Sequence, residues 1–121
     1  MKALVVGVQP SESGVIVSLK TEYGLLSGGW DGTLPAMNET VHVELEFDAD
    51  EVRPSPQHSF TVSSPTPKVV SLTGIVESYH EGLLDLRLGT SLVTVETANP
   101  PPIGSWVVVR GSHLTFFDTN L

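Results

Sequence analysis

A chain of 121 residues suits one compact domain or two very small ones, and its 40 % apolar and 17 % charged side chains exclude global disorder. Fourteen acidic against six basic residues leave a net charge of −8, a field that repels phosphate backbones and anionic membrane surfaces and favours basic partners. No cysteine is present, which removes disulfides, thiolate metal sites and cysteine nucleophiles together and points to a reducing, cytoplasmic compartment.

From the N-terminus, Lys2 precedes an apolar run at 3–8 that is too short for a signal-peptide core. No later stretch approaches the roughly 18 apolar residues of a membrane-spanning helix. Without a secretory route, the Asn38-Glu39-Thr40 sequon is accidental.

Strands are expected at 3–8, 14–20, 22–26, 40–47, 69–78, 82–88, 91–96, 105–110 and 113–118. Turn signals separate them, first at Pro10–Gly14, then at Ser27-Gly28-Gly29, Asp31-Gly32, His80-Glu81-Gly82, Gly89-Thr90 and Pro100-Pro101-Pro102. No ten-residue window carries helical periodicity free of glycine, proline or β-branched clusters, so the chain reads as all-β.

Alternation is clearest in residues 41–48. Val41, Val43, Leu45 and Phe47 share one face, with His42, Glu44, Glu46 and Asp48 on the other. Burying both faces would desolvate three carboxylates, so this strand is half-buried. Leu84, Leu86 and Leu88 likewise oppose Asp85 and Arg87, whereas Trp106-Val107-Val108-Val109 is apolar on both faces and reads as a central strand.

A weak internal repeat divides the chain. An offset of 67 aligns Gly7 with Gly74, Val8 with Ile75, Ser11 with Ser78, Leu19 with Leu86 and Lys20 with Arg87. An offset of 66 aligns Pro35 with Pro101 and residues 41–43 with 107–109. The expected units are an N-terminal barrel-like half at 1–53, a Pro/Ser-rich connection at 54–67, and a C-terminal half at 68–121. A short edge strand fits Ser59-Phe60-Thr61-Val62 within that connection.

Residues 69–118 give a strand bent at Gly74, a hairpin over 79–82, a further strand, a proline-rich connection, and two strands joined near Gly111. This order resembles the OB-fold family of five-stranded Greek-key barrels, without the helix usual between the third and fourth strands. The resemblance implies tandem small OB-like barrels; the alternative is a single nine-stranded sandwich or barrel. OB folds often bind oligonucleotides across strands two and three, with stacked aromatics and basic side chains. Here those strands offer Asp85, Arg87, Thr94 and Glu96, no aromatic and one base, so no nucleic-acid role carries over.

Candidate site residues follow from charge and exposure. Glu44, Glu46 and Asp48, continued by Asp50 and Glu51, form an acidic face for steering a cationic partner. The same charges also suit a solvated strand that guards an edge against aggregation. Trp30, flanked by Gly28-Gly29 and Asp31-Gly32, and Tyr23 are candidate anchors. A tryptophan so placed also suits a barrel cap, its indole N–H bonded to a carbonyl.

His42, His58, His80 and His113 lack metal-ligand spacing, and no nucleophile elbow is present, so no metal, cofactor or catalytic residue is assigned. The expected function is non-catalytic binding of a basic protein. Its most concrete form is an immunity-type inhibitor of a partner such as a toxic nuclease. Alternatives are a small-ligand or oligosaccharide-binding barrel around Trp30, Tyr79 and His80, or a structural subunit pairing through Ile16, Leu83 and Phe117.

Overall fold

The structure is a computed structural model that describes residues 1–12 and 14–119; Ser13, inside the first expected turn, lies outside the described residues. Nine strands follow in chain order. They are β1 (Lys2–Ser11), β2 (Gly14–Thr21), β3 (Gly24–Asp31), β4 (Thr40–Pro54), β5 (Thr61–Thr66), β6 (Val69–His80), β7 (Leu83–Leu88), β8 (Ser91–Glu96) and β9 (Trp106–Asp118). They hydrogen-bond into one mixed sheet that curls into rings. No helix among the described residues is long and apolar enough to cross a membrane.

The first ring closes through β1–β2–β3–β9–β4 and back to β1, with a parallel β3–β9 contact and antiparallel contacts elsewhere. This closed five-stranded ring is built from β1–β4 with β9, and not from residues 69–118, where the OB-like order is expected from the sequence. The second runs β8–β7–β6–β9–β4, with β5 paired alongside β6. Both rings therefore use β4 and β9, and 1–53 and 68–121 are laced together by these two strands.

Four expectations are corrected, the first being the edge strand at 59–62, which is β5 at Thr61–Thr66 and pairs with both β6 and β3. The strand expected at 40–47 continues to Pro54. The two strands expected at 105–110 and 113–118 are one, with Gly111 inside it. Gly111 makes no turn: a Cβ there would strike the Asp48 carbonyl and the Phe47 ring, so glycine is needed where β9 passes these residues of β4. Gly28-Gly29-Trp30, expected as a loop, belongs to β3. A Cβ on Gly28 would lie 2.9 Å from the Leu114 carbonyl oxygen, so this glycine also admits a neighbouring strand.

The internal repeat is visible in the ladders. The rung Ile16↔Gly29 recurs as Leu83↔Glu96, an offset of 67 on both strands. In the first hairpin, Leu4↔Lys20, Val5↔Leu19 and Gly7↔Ser18, with a bulge at Val6, recur as Ile75↔Arg87, Val76↔Leu86 and Ser78↔Asp85, with a bulge at Glu77. Gly74 thus corresponds to Ala3 rather than to Gly7. The first hairpin has two extra rungs, Pro10↔Val15 and Ser11↔Gly14, and they absorb the difference. Gly74 pairs with Val107 of β9 just before Ile75 pairs with both Trp106 and Arg87, and its Cβ position lies 2.6 Å from the Arg87 carbonyl oxygen.

One core fills both rings. Val5, Val17, Leu19, Leu26, Val43 and Phe116 belong to the first and Val76, Leu84, Leu86, Leu88, Val93 and Val109 to the second, in a single cluster. Val41, Val43, Leu45 and Phe47 are buried while Glu44, Glu46 and Asp48 are exposed, as the alternation requires. Gly28→Ala is expected to cost about 1–3 kcal/mol by overpacking. Gly29→Ala meets nothing closer than 3.8 Å and should be near neutral. Urea denaturation of the two variants checks the contrast.

Candidate functional site

Ring two is not closed in the way ring one is. In ring one, Gly29, Trp30 and Asp31 pair in parallel with Thr115, Phe116 and Phe117. The corresponding strands in ring two are β8 and the far half of β4. They run side by side, yet no ladder joins them among the described residues. Among the described residues, β8 forms a ladder with β7 and with no other strand.

The seam between β4 and β8 holds two adjoining hollows of about 660 and 680 Å³. Its β4 wall carries Glu44, Glu46, Asp48, Asp50 and Glu51, and the other side adds Glu81 and Glu96. Seven carboxylates, half the chain's fourteen, thus line one groove, and no lysine, arginine or histidine lines these hollows. Leu83 and Leu92 stand exposed at the rim, with buried Leu45, Phe47 and Val95 beneath. An apolar patch within a charged rim is the usual anatomy of a protein-binding site.

Three of these carboxylates have basic groups beside them outside the hollows, the first being Glu44 near the Met1 amino group. Asp48 meets the His113 imidazole at 2.9 Å, and Glu51 contacts Arg53. His113 sits at a bulge in β9 with φ of 58°. Its Nδ1 also lies 3.2 Å from the Ser112 hydroxyl. Serine and aspartate share one ring nitrogen, so the trio lacks the relay in which a histidine bridges them through both nitrogens. Among the described residues, no cluster of three or more His, Asp or Glu side chains could hold a metal ion.

The seam gathers Glu44, Glu46 and Asp48, whereas Trp30 and Tyr23 lie elsewhere. Trp30 folds back onto Phe116, with ring centroids 6.3 Å apart, and its indole N–H donates to the Thr33 carbonyl at 2.9 Å. Beside it is a separate hollow that includes Ile16, Lys68 and Leu114. Tyr23 packs edge-on against Phe60, which contacts Trp106, and His58 stacks on Trp106 at 5.5 Å. This aromatic row pins the 54–60 connection to the barrel. Tyr79 donates its hydroxyl to the Thr97 carbonyl. Ile16 and Phe117 lie in strands paired on both sides, while Leu83 borders the seam.

Glu81, Glu96 and Leu92 were not singled out in the sequence as partner-contacting residues. Glu96 and Leu92 follow the alternation of β8, in which Val93 and Val95 point inward. That they face β4 is a consequence of the ring, and no local pattern signals it.

The hairpin wall of the seam is braced by Asp85. Its carboxylate accepts from Thr94 Oγ1 at 2.6 Å and from Ser78 Oγ at 2.8 Å, tying β7 to both neighbours. The hydrogen bond from Thr94, then that from Ser78, hold the Asp85 pKa below its ordinary 3.8, against partial desolvation and aided by His80. A depressed folded-state pKa gives stability that is present above the unfolded value and lost as pH falls through the folded one. Asp85→Asn should therefore cost about 1 kcal/mol at neutral pH. The gap from wild type should begin to narrow near about pH 4 and close as pH falls through the lower folded value. Denaturation midpoints across pH test this.

No family model, curated protein or solved structure matches this chain.

Proposed function

We propose that this chain is a non-catalytic, cytoplasmic protein-binding module whose acidic seam receives a basic partner. The observation that carries the reading is the convergence of seven carboxylates and two exposed leucines, from distant parts of the chain, on a groove without a lining cation. Neighbouring carboxylates on one strand face lie roughly 7 Å apart and repel by about 0.6 kcal/mol per pair in water. A cationic partner relieves that repulsion and is steered to the groove by the same field. Leu83 and Leu92 supply apolar surface for burial once it arrives. Inhibition of a basic enzyme, such as a toxic nuclease, is the most concrete form of this role.

Affinity capture at low salt, with the triple variant Glu44→Lys, Glu46→Lys, Asp48→Lys as control, tests the reading. One basic protein should be retained by the wild type, and the variant should bind it at least about 100-fold more weakly. Its association rate should fall steeply with added salt. Capture of the same proteins by both forms, or of none, would sink the proposal. A second seam variant, Glu96→Lys, separates loss of the groove from any local effect at Asp48 and His113.

A further inference from the structure

The free edge of β8 determines what shape of partner the seam can take. Thr97 N–H donates to the Gly82 carbonyl at 3.0 Å, which fixes the parity of the β7–β8 ladder. Ser91, Val93 and Val95 turn their backbone groups towards β7, and Leu92, Thr94 and Glu96 turn theirs into the seam. Across it, Val43 N–H bonds to the Met1 carbonyl at 2.8 Å, so Leu45, two residues on, also faces away from β9. The backbone groups of Leu92, Thr94 and Glu96 thus confront β4, whose own edge is open at Leu45, without a ladder among the described residues. In ring one the equivalent place is taken by the parallel β3–β9 pairing.

Resting on the reading of the seam as a site for a basic partner, we infer that its occupant is an extended segment of that partner, added to β8 as a further strand. Main-chain bonds to Leu92, Thr94 and Glu96 hold it in place, as in other cases of strand addition. Period-two alternation then dictates its sequence. Outward side chains lie between Glu96 on one side and Glu44 and Glu46 on the other, so they are lysine or arginine. Inward side chains cover Val93, Val95, Leu45 and Phe47, so they are small and apolar.

A second copy of this chain is a poor occupant, because an acid-lined edge repels its like. Cα atoms of β4 and β8 approach within 8 Å, and a strand bonded on both sides needs about 9.6 Å. The β7–β8 hairpin therefore swings outward on binding and stays anchored to β6.

The test uses the full chain and a synthetic peptide of about nine residues alternating lysine with valine. Two controls accompany it: the same peptide methylated on alternate backbone nitrogens, and one with glutamate for lysine. At about 50 mM salt the lysine peptide should bind and slow exchange of the Leu92, Thr94 and Glu96 amides. Methylation should weaken it about tenfold or more through lost main-chain bonds, and the glutamate peptide should not bind. Equal binding of the methylated and unmethylated peptides would overturn strand addition while leaving the acidic seam as a charge-driven site. Slowed exchange at the same amides on raising protein concentration alone would overturn it in favour of self-pairing. Failure of the lysine peptide to bind, with a captured basic protein still dependent on Glu44 and Glu46, would mean that a folded surface is recognised instead.

Discussion

The antiparallel ladder between β4 and β9 is the constraint on which the molecule depends. Val43 and Glu44 face Asp118 and Phe117 at one end of it, and Val52 and Glu51 face Val109 and Arg110 at the other. Each strand serves one ring with its first half and the other with its second. The crossing is tight: Gly111 has no room for a side chain against Asp48 and Phe47. On either side of this crossing the two rings are built from hairpins that repeat apart from two extra rungs in the first, so the ladder fixes where each hairpin sits and where the rings close. It also explains why a single apolar cluster spans both.

Closure of one ring and not the other is the asymmetry that creates a site. Around the closing position of ring one stand Trp30 and Phe116, packed ring against ring. Around the matching position of ring two stand Asp50, Glu51 and Glu96, whose like charges oppose close pairing. The same residues that deter unspecific edge pairing make the groove complementary to cations. The edge-guarding and docking readings of the acidic face are therefore compatible.

Much of this architecture is legible along the chain. Alternation identified the buried and exposed faces of β4 and β7 because each has one wet side, and turn residues bounded the hairpins. Local patterns fail where the determining neighbour is remote. The Asp48–Pro54 half of β4 has no apolar alternation and is held as strand by β9. Gly28 and Gly111 resemble turn formers and instead admit another strand. The acidic half of the seam could be read from residues 44–51, but its opposite wall depended on knowing that β8 lies beside β4. Trp30 fits the local reading as a cap rather than as an exposed anchor, since its indole N–H bonds to the Thr33 carbonyl and its ring faces Phe116.

The sharing of strands also bears on how the chain acquires its structure. Thr115, which pairs with Gly29, comes from the far end of the chain, so ring one cannot close until β9 has been made. During synthesis β1 can already pair with β4, while the edge of β3 at residues 29–31 must wait for its β9 partner. Contacts of such high sequence separation slow folding and prolong exposure of that edge. Once β9 docks, both rings are completed together, and unfolding of either should release the other. A single cooperative transition for the whole chain is the corresponding equilibrium behaviour.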